Sequence, residues 1–264
     1  MNSLPEDLTQ ALARVADTET LLVALDFDGT LAPLVEHADD ARPLPASAGA
    51  VAALGELPDT FTALISGRAL DSLRAVAEPE PETLLVGSHG AETWTGPNAA
   101  PLQLTPEQAD LLVRARAAVA EVAQAWDGCR LEDKPAGVVL HTPSASDDDA
   151  AAAVDAARAR LGKLDGVQVT DGKRVLEASV VHANKGEGIV ALRELTGATG
   201  VLFAGDDVTD EKGFAVLESG DVGIKVGPGE TAAQFRVESP AEFAAVLEHL
   251  HELREDEHLV PFVH

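Results

Sequence analysis

Asp26 and Asp28 stand two residues apart in the stretch Leu25-Asp26-Phe27-Asp28-Gly29-Thr30. Three further stretches carry groups of related chemistry: Ser66-Gly67-Arg68, Asn184-Lys185-Gly186 and Gly205-Asp206-Asp207-Val208-Thr209-Asp210. Carboxylates gathered in one place cannot all ionise comfortably without a cation. Hard oxygen ligands of this kind suit Mg²⁺, which keeps several waters and shares its shell with a substrate phosphate. Acidic groups, one lysine, hydroxyls and Mg²⁺ together make a phosphoryl-transfer site by composition.

The roles follow from charge. A phosphate monoester dianion repels an attacking carboxylate, so the metal and Lys185 must neutralise charge on both. Asp26, placed first, is suited to attack phosphorus in line and form an aspartyl-phosphate. Asp28 is suited to protonate the leaving alkoxide and then to deprotonate the hydrolytic water. Thr30 and Ser66 offer hydroxyl donors to phosphoryl oxygens, and Gly67, like Gly29, lets backbone N–H groups approach closely. Asp206 is the expected metal ligand, with Asp207 and Asp210 nearer the outer shell. The plainer reading of Asp207 and Asp210 is helix capping.

These groups need elements to carry them. Leu21 to Leu25 is a short continuous apolar run, as in a parallel strand buried on both faces. Residues 61–65, 84–86, 201–204 and 222–226 read the same way, and most of the polar stretches stand at their C-terminal ends. Helical patterns cover 47–57, 69–77, 184–195, a segment ending at Leu217, and 240–253. In a doubly wound sheet, ligands sit outside the carboxyl ends of the strands. Between these blocks the rhythm changes. Trp94 to Thr105 reads as a loop, Pro106 to Ala125 as a long helix, and 129–133 with 138–142 as a hairpin turning at Lys134-Pro135-Ala136-Gly137. Ser146 and Asp147-Asp148-Asp149 open a helix to Leu161, where capping accounts for the acidic run. Residues 167–170 and 174–178 form a second hairpin, expected to turn at Asp171-Gly172. The expected fold class is α/β: a doubly wound, mostly parallel Rossmann-like core of residues 1–92 and 183–264, with an α+β domain inserted at 93–182.

Composition excludes several classes. The 264 residues carry 19 Lys plus Arg against 45 Asp plus Glu, a formal net charge of −26. Such a chain repels nucleic-acid backbones and anionic membranes, so neither is an expected partner. No apolar run reaches the length of a bilayer span, and the single cysteine, Cys129, rules out an internal disulfide framework. Met1 to Gln10 lacks the basic-then-apolar pattern of a secretory signal. A soluble, cytoplasmic setting is the expectation, with a small-molecule substrate and no obligatory protein partner.

The stretches Asp26-x-Asp28-Gly-Thr30-Leu, Ser66-Gly-Arg68, Lys185-Gly and Gly205-Asp206-Asp207-x-x-Asp210 resemble, in order, the four motifs of the haloacid dehalogenase (HAD) superfamily of phosphatases. The resemblance implies that Asp26 is the nucleophile and Asp28 the acid/base, and that both help hold Mg²⁺, Asp28 through its backbone carbonyl. It also implies a cap domain, because about 119 residues separate Ser66 from Lys185 where a plain βα unit needs roughly 30.

More narrowly, the chain is similar to trehalose-6-phosphate phosphatases over nearly its whole length. The phrases are Leu25 to Pro33, Gly87-Ser88-His89-Gly90-Ala91-Glu92, Glu132-Asp133-Lys134 with Val138-Val139-Leu140-His141, and Gly172-Lys173-Arg174-Val175-Leu176-Glu177. This similarity implies that Lys134, Lys173 and Glu177 of the cap contact the sugar, with His89 and Glu92 lining the core side. Arg68 with Lys134, Lys173 and Lys185 supplies the local positive charge that an anionic substrate needs in so acidic a chain. Lys134, at a turn, has a solvent-exposed alternative. The implied reaction is Mg²⁺-dependent hydrolysis of trehalose 6-phosphate. The alternatives are another capped sugar phosphatase, acting on sucrose 6-phosphate, mannosyl-3-phosphoglycerate or a hexose phosphate, and a non-catalytic phosphoswitch. The long insertion and the presence of Asp28 argue against the switch.

Overall fold

The computed structural model describes residues 4–97, 99, 102–172 and 174–259, with side chains to residue 256. Lys173 lies outside the described residues. The chain divides into two compact units, Met1–Ala100 with Ala183–His264, and Pro101–His182.

The first unit is built on a seven-stranded sheet in the order β11-β10-β9-β1-β2-β3-β4. Its strands are β1 (Leu21–Leu25), β2 (Thr60–Ile65), β3 (Leu84–Gly87), β4 (Glu92–Trp94), β9 (Gly200–Gly205), β10 (Val222–Val226) and β11 (Phe235–Val237). All pairings are parallel except β3 with β4. Strand order reverses between β1 and β9, so the crevice at their carboxyl ends is the topological switch point.

β1 is buried on both faces, and its alternation assigns them. Leu21, Val23 and Leu25 join a core with Leu12 and Val15 of α1 (Glu6–Ala16), Leu54 of α2 (Pro45–Glu56), Leu73 of α3 (Leu70–Ala77), and Phe243 and Leu247 of α8 (Pro240–Leu259). Leu22 and Ala24 join a second core with Ile189 and Leu192 of α6 (Lys185–Thr196) and Phe214 of α7 (Glu211–Phe214). Continuing the period of two, Asp26 falls on the α6 side.

The second unit has a four-stranded antiparallel sheet in the order β5-β6-β8-β7, from β5 (Arg130–Lys134), β6 (Gly137–His141), β7 (Gln168–Gly172) and β8 (Val175–Ser179). α4 (Pro106–Ala125) and α5 (Asp147–Leu161) cover one face, where Val119, Val122, Ala153 and Ala157 pack on Val138, Leu140, Leu176 and Ala178. α4 opens with a Thr105–Gln108 capping box. The Ser146 side chain caps α5 ahead of its three aspartates.

Several boundaries depart from the sequence expectation. Trp94, expected to open a loop, instead ends strand β4, which pairs with β3, and the first compact unit runs to residue 100, past the expected boundary at 92. The first hairpin pairs Lys134 with Gly137, leaving a tighter turn at Pro135-Ala136. In the second, the ladder runs on to Gly172 opposite Val175, so Asp171 and Gly172 are strand residues, not turn. Arg174 there takes a left-handed φ of 59°, anchored by its guanidinium on the carbonyls of Thr142 and Ala145 and on the Asp147 carboxylate. The segment after Asp210 is helical only to Phe214. α1, β4 and β11 have no counterpart among the sequence expectations.

Candidate active site

Asp26 is the residue after β1. Its N–H donates to the Ala204 carbonyl of β9 (3.0 Å), which extends the ladder past the strand end and fixes its main chain. The residue is 4 % exposed. One carboxylate oxygen accepts from Lys185 Nζ at 2.6 Å and the other from Thr30 Oγ1 at 3.2 Å. Lys185, 2 % exposed, also donates at 2.6 Å to Asp210 Oδ1. The second Asp210 oxygen accepts from the Asp207 N–H at 2.9 Å.

Lys185 reaches this place because α6 begins there. The Asn184 side chain accepts from the Glu187 N–H, capping the helix, and Lys185 is its first residue. The loop after β3 braces this end. Ser88 and His89 both hold left-handed backbone, φ 48° and 55°, and Gly90 follows at φ 116°. A Cβ on Gly90 would come within 2.8 Å of the Asn184 carbonyl, so only glycine lets the loop lie against the start of α6. Consecutive non-glycine residues in this region store about 1–3 kcal/mol each and persist where surroundings over-determine them.

Asp26, Asp206 and Asp210 bring carboxylate oxygens within 4.8 Å of one another. Burial first, then the Asp210 and Asp206 charges, push Asp26 well above the usual carboxylate range, with Lys185 opposing. Asp206 rises to about 6 through burial and the Asp210 and Asp207 charges, offset by Lys185 and Lys225. Burial pulls Lys185 down, but Asp26 and Asp210 win and hold it above the ordinary lysine range. Raised carboxylates around one lysine mark a cluster short of positive charge. The Asp206 carboxylate accepts no hydrogen bond among the described residues, while both Asp210 oxygens are engaged. This donor set could hold a hard divalent cation, with Asp206 the most available ligand and Asp26 and Asp210 both tethered by Lys185.

The remaining sequence candidates are distributed around this cluster. Asp28 lies outside the three-carboxylate group. The Arg68 fork grips both of its oxygens, at 2.6 and 2.7 Å, and Arg68 also donates to Ser72 Oγ and the Ala38 carbonyl. Asp207 is likewise outside it: exposed, with its carboxylate on the Val208 N–H. Thr30 and Ser66 are buried beside the site, and Ser66 Oγ accepts from the Arg68 N–H at 3.1 Å. The His89 ring packs on Gly67, and the His89 backbone N–H donates to the Ser66 carbonyl. Glu92 is buried and accepts from Ser88 Oγ at 2.6 Å. In the second unit, Lys134 and Glu177 form an ion pair of 2.8 Å on the sheet face away from α4 and α5. Glu132 and His141 share that face, 2.6 Å apart. Lys225, which sequence reasoning did not single out, is buried next to Asp206 and donates to its backbone carbonyl.

The sequence profile described as trehalose-phosphatase matches residues 24–241, which spans every one of these groups. The chain belongs to the trehalose-phosphatase family. A trehalose-phosphate phosphatase of Mycobacterium avium is 35% identical over 274 residues, covering 95% of this chain and 67% of that protein. A trehalose-phosphate phosphatase of Mycobacterium marinum is 36% identical over 265 residues, covering 92% of this chain and 65% of that protein. The chain thus spans about two thirds of the length of these relatives. Among solved structures, the C-terminal domain of the C. albicans trehalose-6-phosphate phosphatase superposes with a TM-score of 0.79 at 20% identity, covering 93% of this chain and 97% of that one. That likeness is one of fold: this family's α/β core and separate antiparallel sheet are common to both chains.

Proposed function

We propose that the protein is a phosphatase of the HAD type that hydrolyses trehalose 6-phosphate to trehalose and phosphate, with Mg²⁺ as cofactor. The observation that carries this reading is the single buried lysine between Asp26 and Asp210, with Asp206 in reach, at the point where strand order reverses. Family membership and the naming of the mycobacterial relatives support the substrate.

In this mechanism an Asp26 carboxylate oxygen attacks phosphorus, the P–O bond to the sugar breaks, and Asp28 delivers the proton that the leaving alkoxide takes. Asp28 then takes a proton from water as that water attacks phosphorus, and the bond to Asp26 breaks to free phosphate. Arg68 fixes the Asp28 carboxylate for both transfers. Lys185 counters the charge of the nucleophile and of the phosphoryl oxygens, to which Ser66 and Thr30 donate. Mg²⁺ held by Asp206 and Asp26 would offset phosphoryl charge, and its hard-oxygen preference fits this donor set. Sugar hydroxyls are assigned to Lys134, Glu177 and Lys173 of the insert, with His89 and Glu92 on the core side. A lysine–carboxylate pair offers both donors and acceptors to such hydroxyls.

The test is phosphate release across trehalose 6-phosphate, sucrose 6-phosphate and glucose 6-phosphate, with Mg²⁺ and with a chelator. Trehalose 6-phosphate should be hydrolysed fastest, and only with the metal. A clear preference for the monosaccharide phosphate would overturn the substrate assignment, and full activity in chelator would overturn the cofactor.

A further inference from the structure

One buried cation near the carboxylate cluster has no part in the mechanism above. Lys225 is 3 % exposed, on a strand otherwise made of Val, Gly and Ile. Val222, Ile224 and Val226 point into the core shared with α1 and α8. Gly223 lies against Phe214 and Leu217 on the opposite face, and Lys225 shares that face by the strand's period of two. This is the side on which Asp26 and Lys185 also stand. Register sets Lys225 opposite Gly205, one residue before Asp206. Among the described residues its one side-chain hydrogen bond is from Nζ to the Asp206 carbonyl.

A buried ammonium with a single neutral acceptor is expensive, and a methionine would fill a central strand position at lower cost. The acceptor is the backbone of the residue whose own carboxylate is left free of hydrogen bonds. Groups that orient a metal ligand from behind are part of a metal site.

We propose that Lys225 is a positioning residue of the divalent-cation site, holding the Asp206 carbonyl so that the main chain presents the Asp206 carboxylate to the cation. It acts through Asp206 and does not touch substrate. The proposal rests on the reading of the carboxylate cluster as the phosphatase's cation site, and its test is chosen to separate the two.

The probe is Mn²⁺, titrated into the full chain and followed by the electron paramagnetic resonance of the free ion. Lys225→Met should weaken Mn²⁺ binding about 10- to 100-fold. Lys225→Arg, which keeps a charged donor, should restore most of the affinity. At saturating metal, KM for the phosphate ester should stay near the wild-type value in both. Lys225→Gln, with a neutral donor in the same place, serves where the methionine variant does not fold and should show a loss of the same sign. Wild-type Mn²⁺ affinity in folded Lys225→Met or Lys225→Gln overturns the proposal, as does a wild-type chain that binds no Mn²⁺. A wild-type chain that binds Mn²⁺ but releases no phosphate from any ester overturns the phosphatase reading instead, and the comparison of affinities still decides the role of Lys225.

Discussion

Lys185 Nζ lies 2.6 Å from Asp26 Oδ1, although 159 residues separate the two in the chain. Both are buried, and Lys185 holds a second carboxylate, Asp210, at the same distance. Removing the cation leaves two uncompensated charges inside the protein. Lys185→Met should therefore lower stability by about 3–5 kcal/mol and abolish turnover. Asp26→Asn should behave differently. It removes one negative charge from a cluster that has too many, and Asp210 still pairs with Lys185. Its melting temperature should stay close to wild type while turnover falls by roughly a thousandfold or more. Thermal melting and phosphate release on the two variants check both halves, and retained activity in Asp26→Asn removes it as nucleophile.

Gly29 sits at φ +82°, and a Cβ built on it would run into the Asp206 carboxylate. The left-handed backbone alone costs a non-glycine residue about 1–2 kcal/mol. Gly29→Ala should go further, because the displaced carboxylate is the freest ligand of the proposed cation site. The expected result is a folded protein with a lowered melting temperature and a large loss of activity that excess Mg²⁺ partly recovers. An unchanged metal requirement in this variant would separate Asp206 from the cation.

The placement of Asp26 was legible in the sequence because β1 is short, apolar and buried on both sides. A strand of that kind has one direction and two faces, and a polar residue at its end has few places to go. Asp206 follows from β9 in the same way. The Arg68–Asp28 pair was not legible: it joins two loops whose paths depend on turns at Gly29 and Ser88, and no periodicity links them. Lys225 was hidden for another reason. A lysine in a strand pattern ordinarily marks a solvent-facing edge, whereas β10 lies between β9 and β11 and its lysine points inward. β4 and β11 are three residues each, too short for an alternation to register. Arg174 shows why the second hairpin turned later than Asp171-Gly172 suggested: tertiary hydrogen bonds to its guanidinium hold a left-handed arginine.

Arg68 presents two nitrogens to Asp28, a planar fork on a carboxylate with further donors to Ala38 and Ser72. Lysine keeps the charge and loses the fork. If Arg68 orients the proton-transfer group, Arg68→Lys should reduce kcat, by up to about 100-fold for a displacement of an ångström. A folded Arg68→Lys variant with wild-type kcat and a raised KM would instead assign Arg68 to substrate binding alone.

Glu132 lies on the sheet face of the insert that also carries Lys134, His141 and Glu177. Its hydrogen bond with His141 lowers its pKa, burial opposes this, and the charges of His141, Lys134 and Arg130 lower it further. The folded value is below the ordinary 4.5. The unfolded chain therefore binds the proton more readily than the folded one, and stability rises with pH in that window. The stabilisation from Glu132 is present above about pH 4.5 and is lost as the pH falls through the lower folded value. Glu132→Gln removes it. The wild-type protein should exceed the variant in melting temperature near neutral pH, and the gap should close on acidification below about 4.5. The side chain is 42% exposed, so solvent screening keeps the gap small beside that of Lys185. A gap that widens on acidification would mean that Glu132 is held protonated in the folded chain, and would reverse the reading of its contact with His141.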